Sequence, residues 1–195
     1  MQTRIFVMIA IVGWLLAGGV APAAPQAEVP QTERERQMKL SQGDLTVAKN
    51  ELERFWALGH AAKNAFNAGE KADAKKYAEE LARLAPQFKT DWNYGNTIQD
   101  ANLVLGRLAL AEGNFKEAKK RLLDSAQSKG SPQMNSFGPN MSLAKDLLAK
   151  GEKDTVLAYF DLCGKFWAMG ADRLKQWAEE VKKGATPDFG ANLVY

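Results

Sequence analysis

His60 and Cys163 are the single histidine and the single cysteine of this 195-residue chain, and they limit the chemistry it can do. A zinc site with two histidines, or an HExxH metalloprotease motif, cannot be built from one histidine. Cys163 lies in the apolar stretch YFDLCGKFW, which predicts a buried structural thiol rather than a catalytic thiolate activated by a histidine. His60 is predicted to lie on a helix surface or in a groove.

The remaining candidates for acid–base or phosphate chemistry are weak. The adjacent carboxylates at 79–80 and 179–180 point in different directions on a helix, so neither pair forms an acid–base dyad. The tripeptide DFG at 188–190 matches a protein-kinase motif, but the chain has no Gly-rich phosphate loop and no HRD loop. We therefore predict no catalytic residues, no metal site and no cofactor. An enzyme with an unfamiliar site stays open as an alternative.

The first 24 residues have the pattern of a secretory signal peptide. Arg4 gives a positive start, an apolar run follows over 6–16, and Ala21 and Ala23 form an A-x-A cleavage site. Glycines shorten the apolar run below the roughly 20 residues that a membrane-spanning helix needs. We predict a cleaved signal at 1–24, a periplasmic or secreted chain, and no stable membrane span after cleavage. An uncleaved anchor is the alternative.

The charge pattern disfavours nucleic acid as a partner. The formal net charge is only +3, and the lysine pairs lie beside Glu or Asp on predicted helices. Such mixed charge is typical of solvated helix faces rather than of a basic stripe.

The chain after the signal is predicted to be all-α, since no run alternates apolar and polar residues as a half-buried strand does. Residues 25–44 are predicted to form a linker and a short charged helix, 45–183 a helical domain, and 184–195 a tail that packs on the last hairpins. Apolar and small residues recur at gaps of three and four over 45–67, with Asp44 as the expected N-cap.

Three breaks between predicted helices share one spacing. Each has a glycine at the turn, a small or β-branched residue five positions later, and a small residue seven positions earlier. The turn residues are Gly69, Gly113 and Gly151; the later ones are Ala74, Ala118 and Val156; the earlier ones are Ala62, Gly106 and Ala144. Glycine permits the backbone of a tight turn, and small residues allow two antiparallel helices to approach closely. The spacing predicts three helical hairpins.

This pattern resembles the tetratricopeptide repeat (TPR) over roughly residues 55–170. The best copy is the middle one, with Leu105, Gly106, Gly113, Asn114, Phe115, Ala118, Leu122 and Ser125. The family's aromatic residue near the start of the first helix is missing, and the turn glycines lie farther apart than the roughly 34 residues of a standard repeat. The resemblance implies hairpins stacked as a short solenoid, which the predicted helix at 172–183, with Asp172 as its N-cap, would cover at its C-terminal end.

The resemblance also implies a function. TPR proteins are non-catalytic scaffolds or adaptors that hold a protein or peptide partner in a groove lined by the first helix of each hairpin. On this basis we expect a protein or peptide partner in the cell envelope. We expect exposed polar residues of those helices to contact it, namely Asn64, Asn102 and Arg107.

The linkers between the predicted hairpins are themselves alike. Each contains a proline, an aromatic residue, a glycine and then Thr or Asn; the cores are 94–97, 137–140 and 189–192. We expect Thr97 and Asn140 to be helix N-caps. The aromatic residues Tyr94, Phe137 and Phe189 are expected to pack between hairpins, and Leu193, Val194 and Tyr195 to cover the end of the stack.

The first linker also carries a candidate binding residue. Trp92 lies in the polar stretch DWNYGN beside Tyr94, and Asn135 is the weaker equivalent in the second linker. A tryptophan next to amides and a tyrosine can bind a peptide or stack on a sugar ring. The simpler interpretation, which we favour, is that Trp92 pins the linker onto the hairpins. The alternative function is therefore a polysaccharide- or small-ligand-binding helical module.

Overall fold

A computed structural model describes residues 30–193, so the predicted signal peptide at 1–24 lies outside the described residues. Residues 30–193 form helices and turns without a strand, which confirms the all-α fold class. None of these helices is long and apolar enough to cross a membrane. The α-helices are α1 Gln31–Val47, α2 Glu51–Ala68, α3 Lys71–Leu84, α4 Tyr94–Ala111, α5 Phe115–Ser125, α6 Pro132–Phe137, α7 Ser142–Leu148, α8 Lys153–Cys163 and α9 Ala171–Lys182.

Three pairs of consecutive helices within 30–193 pack against each other across tight turns: α2 with α3, α4 with α5, and α7 with α8. Gly69, Gly113 and Gly151 take positive φ angles of 88°, 77° and 82° at these turns, which confirms their predicted role. The pairs also contact one another, because α2 packs against α4 and α4 packs against α7. The first helices of the three pairs therefore lie side by side.

Small residues allow the close approach of these helices, as the spacing predicts. A Cβ atom on Gly106 would overlap Leu143 Cδ2 of α7, would lie 3.0 Å from Arg121 Cβ and would lie 3.6 Å from the backbone oxygen of Ala118 in α5, so the missing side chain makes room for both helices. Ala62 and Ala144, at the equivalent positions of the other pairs, are fully buried. A larger side chain at any of these positions would force the helices apart.

The start of α2 differs from the sequence expectation. The helix begins at Glu51, where Asn50 Oδ1 accepts a hydrogen bond from Glu53 N at 2.9 Å, and the Glu53 carboxylate accepts one from Lys49 N at 2.7 Å. This reciprocal arrangement is related to a capping box and fixes the start of the helix. The expectation that Asp44 caps this helix is wrong, because Asp44 lies inside α1.

Two other expected N-caps also lie inside helices. Thr97 is buried within α4, where its hydroxyl donates to Tyr94 O at 2.8 Å. Asp172 lies in the first turn of α9, which has no side-chain cap. Asn140 lies one residue before the N-cap position, Met141, but its Oδ1 still accepts a hydrogen bond from Ser142 N, the first residue of α7, at 2.8 Å. Of these expected caps, only Asn140 therefore accepts a hydrogen bond from a backbone N–H in the first turn of its helix.

The hydrophobic core is richest in aromatic residues at the C-terminal end. Tyr159, Phe160, Trp167, Trp177 and Phe189 are all buried there. The helix α9 packs against α8 with its apolar face, as expected of a capping helix. Cys163 is fully buried in the same cluster, and burial raises the pKa of its thiol far above the usual range. This confirms the structural role predicted for the cysteine.

The C-terminal tail crosses the third pair of helices. Phe189 packs edge-on against Trp177, with ring centres 5.0 Å apart, and against Phe160 at 6.2 Å. The side-chain amide of Asn192 donates to Phe137 O at 3.0 Å and to Pro139 O at 2.9 Å. The expected contribution of Val194 and Tyr195 lies outside the described residues.

The aromatic residues of the three linkers have different environments. Phe189 is 1% exposed, and Tyr94 is half-buried against the core of the first pair. Phe137 is 70% exposed, so the expectation that it packs between hairpins is wrong. The reason is local: the linker before α7 forms the short helix α6, and Gly138 at φ 91° turns the chain directly after it.

The two equivalent aromatics give a matched test of the tail. We expect Phe189→Ala to lower the free energy of unfolding by about 3–5 kcal/mol, because it empties a packed aromatic site. Phe137→Ala should change it by only about 0.5 kcal/mol, since the ring is exposed. Urea unfolding followed by circular dichroism measures both. An unchanged melting temperature after deletion of residues 187–195 would show that the tail does not stabilise the fold.

Candidate functional site

The first helices of the three pairs, together with α1, enclose a groove of about 580 Å³. We call it the central groove. It is lined by residues of α1, α2, α4 and the start of α7, and Leu193 of the tail also lies on it. On α4 the lining residues Asp100, Leu103, Val104 and Arg107 follow gaps of three and four, so a single helix face supplies them.

An ion pair between α2 and α4 lies at the centre of the groove. Lys63 Nζ is 3.1 Å from Asp100 Oδ1, and the two side chains are only 21% and 12% exposed. Gly59 provides the room for it, because a Cβ atom there would lie 2.9 Å from Asp100 Oδ2. The pair holds the ammonium group in a fixed position at the groove surface.

A second cation of the groove is held by two contacts. Arg107 Nε donates to Asp146 Oδ2 at 2.7 Å, and the guanidinium lies 4.6 Å from the centre of the Phe66 ring. The cation–π contact and the ion pair together restrict the orientation of the side chain. Its remaining N–H groups stay partly exposed, since the side chain is 30% accessible. Arg34 of α1 adds a third cationic side chain to the lining.

Amide groups supply the neutral hydrogen-bonding part of the groove. Asn64 Nδ2 donates to Gln37 O and to Ser41 Oγ, both at 3.3 Å, and so joins α2 to α1. Its carbonyl oxygen accepts no hydrogen bond from residues 30–193. Asn140, at the other end of the groove, is held by its backbone: its N–H donates to Gln99 Oε1 at 3.0 Å.

A buried hydrogen-bonded ring behind the groove fixes Asn140. Gln99 Nε2 donates to Tyr159 OH at 3.3 Å, and Tyr159 OH donates to Asn140 O at 2.9 Å. Asn140 N closes the ring on Gln99 Oε1. Gln99 is 2% exposed and Tyr159 is 0% exposed, so all three groups depend on one another. This ring cannot be predicted from the sequence, because Gln99 looks like an ordinary polar residue of a surface helix.

Of the three groove residues expected from the TPR resemblance, Asn64 and Arg107 line the central groove. Asn102 does not, and the expectation that it is exposed is wrong, since only 8% of its surface is accessible. Its Nδ2 donates to Ile98 O at 2.9 Å, and its Oδ1 accepts from Arg121 Nη1 at 3.1 Å. The residue lies off the face at 100, 103, 104 and 107, and it joins α4 to α5.

None of the linker candidates lines the central groove. Trp92 is 61% exposed, with its ring centre 6.3 Å from that of Trp56. Tyr94 instead packs against the core of the first pair. The side-chain amide of Asn135 faces two carbonyl oxygens, Ser131 O and Phe166 O, and in the orientation that directs its nitrogen toward them it donates to both, at 3.1 and 3.2 Å. This gives the residue a structural role in the second linker.

Lys63 and Asp100 are groove residues that the sequence does not single out, whereas His60 is expected on a helix surface or in a groove, with ligand contact as its alternative role. The three-residue step from His60 to Lys63 on one helix was visible in the sequence, but the partner Asp100 comes from another helix. No group of three or more His, Cys, Asp or Glu side chains within 30–193 could hold a metal ion. No protein-family model, curated protein or solved structure matches this chain.

The pKa of His60 reports on the electrostatics of the groove. Loss of hydration at the groove wall lowers this pKa below 6.5, and the Lys63 ammonium lowers it further, while Asp100 opposes both effects. The imidazole is therefore neutral at pH 7. Because the folded-state pKa is the lower one, the unfolded chain binds the proton more readily, and stability falls as the pH drops below about 6.5.

The single histidine makes this directly measurable. We expect the imidazole resonances of His60 in a proton NMR titration to give a pKa below 6.5. Lys63→Gln should raise that pKa, because the repelling ammonium is removed and Asp100 remains. A wild-type value at or above 6.5, or a downward shift in the variant, would contradict the arrangement of charges in the groove.

Proposed function

We propose that the chain is a non-catalytic scaffold or adaptor of the TPR type, which holds a segment of a protein partner in the central groove. The observation that carries this proposal is the placement of α2, α4 and α7. These first helices of three consecutive pairs lie side by side and supply most of one groove. Asn64 and Arg107, chosen from the sequence as partner-binding residues, are both part of its lining.

The chemistry of the groove supports a peptide segment as the ligand. The Asn64 carbonyl oxygen can accept a main-chain N–H, and the ordered cations Lys63 and Arg107 can bind carbonyl or carboxylate oxygens. Leu103 and Leu193 add apolar contact surface to the same groove. An apolar surface with a few convergent polar groups is typical of ligand-binding sites.

The candidates for catalysis lack the features of a reactive site. The Cys163 thiol is buried with a raised pKa, which disfavours the nucleophilic thiolate. His60 lies in the central groove, whereas Cys163 lies in the C-terminal core cluster. The groove cations are ion-paired, which suits binding and positioning more than proton transfer.

The alternative as a polysaccharide-binding module rests on Trp92. Its exposed indole beside Trp56 is a plausible stacking surface for a sugar ring. The companion residue Tyr94 is half-buried against the core, so it offers a ligand less surface than the exposed Trp92 does. The central groove is therefore the better-supported site.

We also propose that the chain is exported to the periplasm or secreted after removal of residues 1–24. The sequence pattern of the N-terminus supports this proposal. The intact mass of the protein purified from its host tests it. A mass equal to residues 25–195 in the envelope or secreted fraction is expected, and a full-length cytoplasmic chain would contradict it.

The groove itself is tested with selected peptides. Residues 25–195 serve as the target for selection of peptides from a random display library. The selected peptides should bind the double variant Asn64→Ala, Arg107→Ala at least about tenfold more weakly than the wild type, which is a loss of about 1.4 kcal/mol in binding free energy. Fluorescence anisotropy with labelled peptides measures the Kd. Arg83→Ala is the matched control, because Arg83 is an exposed arginine of α3 outside the groove.

The outcome separates binding from folding. Far-ultraviolet circular dichroism must show the same helix content for the double variant and the control. Selected peptides that bind the double variant as tightly as the wild type would overturn the groove as the binding site. Failure to enrich any peptide would count against a peptide partner altogether.

A further inference from the structure

A second cavity, of about 750 Å³, lies at the C-terminal end of the molecule. We call it the terminal cavity. Residues of α6, the Ala168–Gly170 turn and the start of α9 enclose it, and the tail separates it from the central groove. Asn192 of the tail lines the terminal cavity, whereas the next residue, Leu193, lines the groove. The two sites are therefore distinct.

The wall of the terminal cavity includes a rigid indole ring. The ring of Trp167 lies against two glycines. A Cβ atom on Gly138 would lie 2.6 Å from Trp167 Cε2, and a Cβ atom on Gly170 would overlap the same ring. Trp177 packs beside it, with ring centres 5.9 Å apart. Since neither glycine position tolerates a side chain, the backbone itself holds the indole in one orientation.

Arg173 lies over this aromatic surface. Its guanidinium carbon is 5.9 Å from the centres of both the Trp167 and the Trp177 rings. Unlike Lys63 and Arg107 of the groove, it forms no ion pair or hydrogen bond with the residues that the structure describes. A guanidinium on an aromatic surface keeps its N–H donors available at its edge, in a fork that matches a carboxylate.

Two large apolar side chains border the same cavity in an unusually exposed state. Phe137 is 70% exposed and Met169 is 82% exposed, and both line the cavity with Arg173. Trp167 Nε1 adds a polar feature, because it is buried and has no hydrogen-bond partner within 30–193. Buried N–H groups normally have an acceptor, and this one belongs to a residue of the cavity wall.

We propose that the terminal cavity binds an apolar carboxylic acid. Arg173 receives the carboxylate, and the aromatic or branched apolar group of the ligand lies against Phe137 and Met169. The charge of Arg173 favours an anion, and its planar fork favours a carboxylate over a monodentate anion. The chemistry is shared by a free apolar acid and by the C-terminal residue of a peptide.

One neighbouring charge repels an anionic ligand, so its removal should change the affinity in the opposite direction from removal of the Arg173 charge. Asp172 also lines the cavity, fully exposed, with its Oδ1 3.8 Å from Lys175 Nζ. Solvent and the lysine screen this carboxylate, but they do not remove its repulsion of an anion. Removal of the Asp172 charge should therefore strengthen binding, whereas removal of the Arg173 charge should weaken it.

The experiment uses the protein chain with N-acetyl-phenylalanine as the probe and isothermal titration calorimetry as the readout. The uncharged N-acetyl-phenylalaninamide keeps the apolar group and lacks the carboxylate. We expect the acid to bind at least tenfold more tightly than the amide. A tetrapeptide whose C-terminal phenylalanine has a free carboxylate distinguishes a peptide ligand from a free acid. If it binds more tightly than N-acetyl-phenylalanine, the ligand is a peptide C-terminus. If it binds equally or more weakly, the ligand is a free acid.

The variants assign the binding to the cavity. Arg173→Gln should lower the affinity for the acid at least tenfold, and Asp172→Asn should raise it. Arg83→Gln on α3 is the matched control and should leave the affinity unchanged. Equal melting temperatures verify that each variant is folded. No binding of either acid at millimolar concentration, equal binding of acid and amide, or an unchanged affinity in Arg173→Gln would each overturn the proposal. None of these results bears on peptide binding in the central groove.

Discussion

The hydrogen-bonded ring of Gln99, Tyr159 and Asn140 is the interaction on which the arrangement of the second and third helix pairs depends. It joins the middle of α4 to α8 and to the residues before α7. Each buried group left without its partner would cost about 1–3 kcal/mol, so the ring allows one register between the two pairs. The position of Asn140 at the groove follows from that register, because both its N–H and its carbonyl belong to the ring.

The same register determines where the tail lies. Directly after Asn140, the N–H of Met141 donates to Asn192 O at 2.7 Å, while the Asn192 amide donates to the carbonyl oxygens of Phe137 and Pro139. The tail is thus hydrogen-bonded to linker residues both before and after Asn140. Since this short segment forms part of the wall of both the central groove and the terminal cavity, the two sites depend on one set of backbone contacts.

The sequence predicted those features that depend on residues near one another in the chain. The turn glycines, the small residues of the close helix contacts and the burial of Cys163 all followed from local spacing or composition. The errors have a different cause. Asp44 and Thr97 are cap-forming residue types, but α2 and α4 begin at other residues, and Asn102 lies outside the groove because it bonds to Arg121 of α5. Ion pairs between helices, such as that of Lys63 with Asp100, cannot be predicted from local spacing, because the two residues come together only in the folded chain.

The two cavities illustrate how the pairing of a cation affects what it can recognise. In the central groove, Asp100 and Asp146 already neutralise much of the charge of Lys63 and Arg107. A ligand there gains oriented N–H donors at little cost in side-chain entropy, but only a modest Coulombic attraction. Arg173 in the terminal cavity has an aromatic support in place of an anionic partner. Its charge therefore remains available to a ligand. This difference favours neutral, amide-rich segments in the groove and a full carboxylate in the cavity.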